Sequence, residues 1–559
     1  MTTSKAADPR HWVLLLAALL FAANIWGYDL WAPDEPYFAE GAREMIVDGQ
    51  WAVPHVNGVV TTDKPALFFW LIALFSLPFG GVSSFTSRLP SVLAAVGTVW
   101  LTMRLGTRLA DRRTGALAGL ILATSFMFWE KARWTQIDST LCFLIWVALT
   151  ALVAFRAEDA DGRRAGLLFW AAVALAGLAK GPIGLILILG ISLVTLGIDR
   201  DLRAWRRFSP VRGPILFAAI VGLWAVIVTI AGPDSYSILE ALREHVLERG
   251  LHGMHHEQPW YYFFKVLPVL LLPWSGLIPG ALLLAWRRRD PSDRFLLAVV
   301  IVVITVFSIS VEKRELYALP AFPAFALLSA RFIAHELGWA RSREVSVHTW
   351  WLRAGLGAVA VLVALVGAVL GIRYGDIELV GPGTVALLSG VVLLTGLSTL
   401  IFLWRRRLSL SVASLAGGFV VLYLLAAFAV FPALEPRKSA RSFAARVATL
   451  TAQSRAAGER VVAFDLGNLP EPLAFYSGGL YTVETNDLDR LRQHMVGDAE
   501  VFAAVNSKAV ERLPEDLTKL LYVADRILVT RYEVLVVSNR PAPERTVLSD
   551  WLAAPAKSP

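Results

Sequence analysis

About thirteen apolar runs, most of them close to the ~20 residues a helix needs to cross hydrocarbon, divide this chain of 559 residues. They are His11–Trp31, Phe85–Met103, Thr114–Phe128, Asp138–Ala157, Ala165–Ala179, Gly181–Gly197, Gly213–Ala231, Tyr261–Trp286, Phe295–Ser310, Leu316–Ala330, Trp351–Ile372, Val380–Leu403 and Leu408–Phe431. In lipid no water satisfies a backbone N–H or C=O, so runs of this length are read as helices. The chain is therefore expected to be a mainly α, polytopic membrane protein. A mean hydropathy of +0.57 and a charged fraction of only 18% agree with this.

The loops carry a second pattern. With the N-terminus taken as cytoplasmic, the loops on that side hold Arg104, Arg108, Arg112 and Arg113, then Arg156, Arg163 and Arg164, then Arg200, Arg203, Arg206 and Arg207. Arg287–Arg289, Arg341 with Arg343, and Arg405–Arg407 continue the series. Basic inner loops follow the positive-inside rule, and an odd number of spans then leaves the C-terminus outside. The same arginines account for the net charge of +8. No basic stripe interleaved with aromatics stands above them, which argues against a nucleic-acid partner. Cys142 is the single cysteine and lies inside an apolar run, so no intrachain disulfide or cysteine metal cluster is expected. The first run ends in Trp31 and acids rather than in small residues, and reads as an uncleaved first span.

From about Leu434 the texture turns polar. Val461–Leu466, Leu480–Glu484, Glu500–Asn506 and Arg526–Val537 read as strands, alternating with helical stretches at Pro472–Tyr476, Leu488–Met495 and Val510–Leu521. The expected division is a transmembrane domain over 1–433 and a small α/β domain over 434–559, outside the membrane. Neither a G-x-G-x-x-G nor a P-loop pattern occurs, so no nucleotide site is expected.

The unusual chemistry gathers in the outer loops. Residues 31–84 form a long outer segment in which Ala39–Gly49 and Pro65–Gly80 have the pattern of helices lying in the interface plane. Asp34 and Glu35 open it, and Lys64 lies between the two helices. Asp34 and Glu35 could simply cap a helix in water, Lys180 could snorkel, and Lys313, Arg314 and the histidines could belong to ordinary solvated loops. Asp138, however, starts a span just after Arg133, and acids at a span's edge are costly enough to be functional candidates. Several acids and cations on one face are harder to explain as solvation alone. The spacing of His245, His252, His255 and His256 matches no strong metal motif.

Six stretches, in order along the membrane part, resemble the GT-C fold membrane glycosyltransferases, and within them the 4-amino-4-deoxy-L-arabinose lipid A transferases. They are WAPDEPYFAEGAREM, TDKPALF, ARWTQID, AKGPIG, REHVLERGLHGMHHEQPWYY and KRELYALPAFPA. Asp63 stands where a glutamate is expected before the Lys-Pro, and Arg249 falls one position later than the family pattern places its arginine.

The resemblance implies a pentosyl transfer from undecaprenyl phosphate to a lipid A phosphate, at the periplasmic face of a bacterial inner membrane, favouring resistance to polymyxin and cationic peptides. A lipid-linked donor fits the missing nucleotide motif. It implies Asp34, Asp138 and Glu35 as catalytic carboxylates. Lys64, Arg249, Lys313 and Arg314 become ligands of the donor phosphate, where negative charge develops. Tyr317, Arg133, Lys180, His245 and His256 become substrate contacts. No cofactor is committed to, although the outer histidines and acids leave a divalent metal open; a monomer in contact with membrane lipids is expected. Two alternatives stay open: transfer of another polyprenyl-phosphate sugar to protein or glycan, as in O-mannosyltransferases, and a lipid flippase without chemistry. The flippase lacks support from any inverted repeat of broken spans.

Overall fold

The computed structural model describes residues 8–156, 162–201, 209–233, 237–238, 257–339, 350–373, 380–530 and 532–553. Two compact units are present. The first contains Met1–Ile25, Thr62–Phe68 and Arg88–Ala433; the second contains Trp26–Thr61, Phe69–Ser87 and Leu434–Pro559.

The chain begins with helices α1 (Pro9–Ala22), α2 (Asp34–Val47), α3 (Leu67–Ser76), α4 (Ser84–Leu109), α5 (Arg112–Ala123), α6 (Phe126–Ala132), α7 (Ile137–Arg156), α8 (Gly162–Lys180) and α9 (Pro182–Ile198). Among the described residues, nine helices are long and apolar enough to cross a membrane, and a tenth span is reached if Tyr262–Leu270 and Ser275–Arg288, bent by 119°, count as one. The expected thirteen full spans are therefore not reproduced. Each apolar run is helical, but α1 has 14 residues, α5 has 12 and α9 has 17. Apolarity marks where a helix can form; it does not mark where a polar side chain interrupts the ladder. At Thr124 and Ser125, for example, the hydroxyls bond back to the carbonyls of Leu120 (2.6 Å) and Ile121 (2.7 Å), and the run splits into α5 and α6. The bend at 271–274 is satisfied by the same junction: the Phe126 N–H donates to the Leu272 carbonyl (2.8 Å) and the Trp274 ring N–H to the Thr124 hydroxyl (3.0 Å).

Capping explains several boundaries. Asp8 caps α1 ahead of Pro9, and Asp111 caps α5 by accepting from the Arg113 and Thr114 N–H groups. Between α8 and α9, Gly181 has φ +69°, a conformation a side chain would disfavour, and Pro182 opens α9. The Lys-Gly-Pro triplet is thus a helical hairpin with Lys180 as the last residue before the turn.

In the second unit, six strands pair in the order β4-β3-β5-β7-β6-β8, over Val461–Phe464 (β3), Thr482–Thr485 (β4), Phe502–Asn506 (β5), Tyr522–Val529 (β6), Tyr532–Ser538 (β7) and Thr546–Val547 (β8). Strands β3, β4 and β5 run parallel, and the others are antiparallel. The stretch expected as one strand over Arg526–Val537 is a hairpin, β6 and β7, because the chain turns at Thr530 with φ +53°. Strand β3 is buried on both faces, as parallel strands covered by helices are: Val461 and Ala463 join one core with Phe443, Val447 and Leu473, while Val462 and Phe464 join another with Leu491, Met495 and Leu517. The first outer segment belongs to this unit except for Thr62–Phe68, which belongs to the first. A two-residue hairpin, His55–Val56 (β1) against Val59–Val60 (β2), turns through Asn57 and Gly58, both at positive φ. Asn57 then binds across to Thr482, donating to its hydroxyl (2.9 Å) and accepting from its N–H (2.8 Å).

Candidate active site

In the first unit, α7 carries most of the geometry. Asp138 lies in its first turn, and residues four and eight positions later share its face. Those residues are Cys142, whose thiol lies 3.7 Å from the Leu319 carbonyl, and Trp146, whose ring N–H donates to the Pro320 carbonyl at 2.9 Å. Both bonds fasten the 3-10 helix Glu315–Ala321 against α7. That helix carries Tyr317, which stacks on Phe307 with ring centres 4.9 Å apart. Lys180, at the hairpin, reaches both elements: its ammonium is 2.6 Å from the Asp138 carboxylate and 4.9 Å from the Tyr317 ring centre. Carboxylate, ammonium and phenol are thus brought together by three separate elements. Asp138 and Lys180 retain only 9% and 16% side-chain exposure, so the pair is largely desolvated and its partners matter to each other.

Arg133 was expected among the substrate contacts and has a structural occupation. Fully buried, its guanidinium donates to the carbonyls of Leu20 (2.9 Å) and Ala23 (2.5 Å), and it lies over the rings of Trp129 (5.2 Å) and Phe431 (5.8 Å). The last carbonyls of α1 have no partners within their own helix, and this fork supplies them. Lys313 behaves in the same way. Its three donors are directed at the carbonyls of Gln258 (2.7 Å), Ser310 (2.5 Å) and Val311 (3.5 Å), and burial holds its pKa below the usual lysine value. Lys64 is folded onto its neighbour Asp63, 3.2 Å from the carboxylate and 3.0 Å from the carbonyl. With 23% and 34% exposure on the two side chains, such a pair is worth at most about 1 kcal/mol, little to oppose a phosphate that recruits the ammonium. Arg314 precedes the 3-10 helix of Tyr317 as its cap residue.

In the second unit, Asp34 and Glu35 occupy the first turn of α2, where the helix dipole favours negative charge. Glu35 is fully buried and its carboxylate accepts from the Trp31 N–H at 3.1 Å. Asp34 is half-buried. Arg249, His245, His252, His255 and His256 lie outside the described residues. Among the described residues no group of three or more His, Cys, Asp or Glu side chains is arranged to hold a metal ion.

Sequence reading missed Cys142, Trp146 and Phe307, although the four-residue spacing of Asp138, Cys142 and Trp146 was a usable signal.

Residues 63–231 match the family described as dolichyl-phosphate-mannose-protein mannosyltransferase. The undecaprenyl phosphate-alpha-4-amino-4-deoxy-L-arabinose arabinosyl transferase of Pseudomonas paraeruginosa is 32% identical over 341 residues, 59% of this chain and 61% of that protein, so the chain spans about three fifths of that relative. The crystal structure of ArnT from Cupriavidus metallidurans in the apo state superposes with a TM-score of 0.75 at 21% identity, covering 95% of this chain and 98% of that one; the form bound to undecaprenyl phosphate gives 0.74 at 20%, covering 96% and 99%. This likeness establishes the GT-C fold and a multi-pass membrane protein. The corresponding transferase of Pectobacterium carotovorum is 31% identical over 395 residues, 69% of each chain, and on that match this chain belongs to the family of undecaprenyl phosphate-alpha-4-amino-4-deoxy-L-arabinose arabinosyl transferases.

Proposed function

We propose that this chain moves 4-amino-4-deoxy-L-arabinose from undecaprenyl phosphate to a lipid A phosphate on the periplasmic face of a bacterial inner membrane, a modification that favours resistance to polymyxin and cationic peptides. The observation that carries the reading is the match to the Pectobacterium carotovorum transferase over 69% of both chains. The donor is supported by the undecaprenyl phosphate bound to ArnT from Cupriavidus metallidurans.

In this reaction the bond between the sugar's anomeric carbon and the undecaprenyl phosphate oxygen breaks, its electron pair leaves with the phosphate, and a lipid A phosphate oxygen forms the new bond. That oxygen is already ionised near neutral pH, so no strong base is required. The work left to the protein is electrostatic. Asp34 and Asp138 steady the cationic sugar, with Glu35 supporting Asp34. Lys64, Arg249 and Arg314 meet the leaving phosphate, the arginines by a two-pronged contact and the lysine as a point charge. Tyr317 and Lys180 fix the surroundings of Asp138, Arg133 and Lys313 fasten backbone, and His245 and His256 contact the substrate. The enzyme acts as a monomer, with its C-terminal domain periplasmic.

The deciding experiment compares lipid A mass from cells with and without the gene. Gain of one pentosamine supports the reading. Unchanged lipid A together with altered periplasmic glycoproteins would favour protein mannosyl transfer, the activity named by the family match over 63–231.

A further inference from the structure

The chain from Asp29 to Trp31, which delivers Asp34 and Glu35, belongs to no helix or strand. Its backbone donors must be satisfied some other way, and each meets a side chain. The Asp29 N–H donates to both oxygens of the Glu435 carboxylate (3.1 Å each), the Leu30 N–H to the Tyr476 hydroxyl (2.6 Å) and the Trp31 N–H to Glu35 (3.1 Å). Trp31 also donates its ring N–H to Glu435 (3.2 Å), so one residue ties Glu435 to Glu35. The Asp29 carboxylate in turn accepts from the Ser439 hydroxyl (2.6 Å) and from Arg441 (3.0 Å to Nε), whose guanidinium lies over the Tyr476 ring at 5.0 Å. All of these residues belong to the second unit.

Together they form a collar around a segment that has no regular structure of its own. Its contacts to Glu435, Arg441 and Tyr476 fall at Asp29 to Trp31, within five residues of Asp34. We propose that Glu435, Trp31 and Tyr476 are positioning residues for transfer, holding the acidic first turn of α2 in register, so that the segment after the last membrane helix and the C-terminal domain take part in the rate of the reaction. The proposal rests on Asp34 acting at the sugar. A misplacement of about 1 Å at a reacting group can cost about a hundredfold in rate, so removing the collar lowers turnover before it lowers binding.

The test uses the purified full-length protein and measures kcat, KM for the lipid-linked donor, undecaprenyl phosphate affinity and thermal stability. Glu435→Ala should lower kcat by about ten- to a hundredfold per folded molecule, with KM and lipid affinity within about twofold. Glu435→Gln keeps an oxygen acceptor and should restore at least about a third of wild-type kcat. Trp31→Phe removes the indole N–H that donates to Glu435 and leaves the backbone N–H contacts in place, and should lower kcat by about three- to tenfold; it decides the matter alone if Glu435→Ala does not fold. Wild-type kcat in Glu435→Ala and Trp31→Phe, alongside an inactive Asp34→Asn, would overturn the positioning role by itself. A Glu435→Gln as impaired as Glu435→Ala would overturn it too, since charge rather than geometry would then be at work. An active Asp34→Asn would instead remove the premise, and the role of Asp34 with it.

Discussion

Removing Lys180 tests the candidate site at its best-defined contact. At 2.6 Å, and with an effective dielectric of about 20, the attraction between Lys180 and Asp138 amounts to roughly 6 kcal/mol. Desolvating both ions offsets most of that, leaving a coupling of about 1–3 kcal/mol. Lys180→Met strips the carboxylate of its partner at a place with 9% exposure, so the single substitution should cost about 3–5 kcal/mol. Asp138→Asn should be destabilising in the same sense, because it leaves a buried ammonium unpaired. The double variant leaves no buried charge at this position and should cost clearly less than the sum of the two. Unfolding of the purified protein in one detergent, with all four forms of the cycle compared, measures the coupling. Transfer assays on the same samples should find no activity in either variant that lacks Asp138, however stable the double is. Single costs that add within about 0.5 kcal/mol would refute the reasoning, since the two groups would then not depend on one another.

Arg133→Ala should destabilise the first unit by about 2–4 kcal/mol, because the carbonyls of Leu20 and Ala23 lose a buried donor; Arg133→Lys should recover only part of this, since an ammonium cannot fork, and thermal unfolding of both variants checks it. Burial and the adjacent charge of Glu40 push Glu44 up to about 8 from an ordinary value near 4.5. The folded chain therefore holds a proton that the unfolded chain releases, so this contribution is complete below about pH 4.5 and is lost as pH rises through about 8. Melting temperature should fall over that window in the wild type and fall less in Glu44→Gln; equal slopes would contradict the assignment. A reporter active only in the periplasm should be active when fused after Pro559 and inactive in the loop over Arg200–Arg207.

The membrane helices were legible because hydropathy acts on whole segments, and the boundaries were not, because single hydrogen bonds set them. No periodicity foretells that Thr124 and Ser125 bond back to the preceding turn and split α5 from α6. Most strands of the C-terminal domain were legible from their β-branched runs; the turn at Thr530 divides one run into two strands, and the two-residue β8 was too short to show. Among the candidate site residues, Asp138 stood out because an acid at a span's edge is costly, and Lys180 only as one of several charges on one face. Their pairing did not, since residues 42 positions apart meet only through the hairpin at Gly181. Arg133 and Lys313 show the limit of that logic. A buried cation is as well explained by orphaned carbonyls as by a phosphate, and only three-dimensional placement separates the two.

The central claim is tested most directly by reconstitution. Purified protein in liposomes, given undecaprenyl phosphate-linked 4-amino-4-deoxy-L-arabinose and lipid A, should yield lipid A heavier by one pentosamine, with undecaprenyl phosphate released in equal amount and no product from Asp138→Asn. Lipid A of unchanged mass in the presence of folded wild-type protein and intact donor, or equal product from Asp138→Asn, would contradict the account.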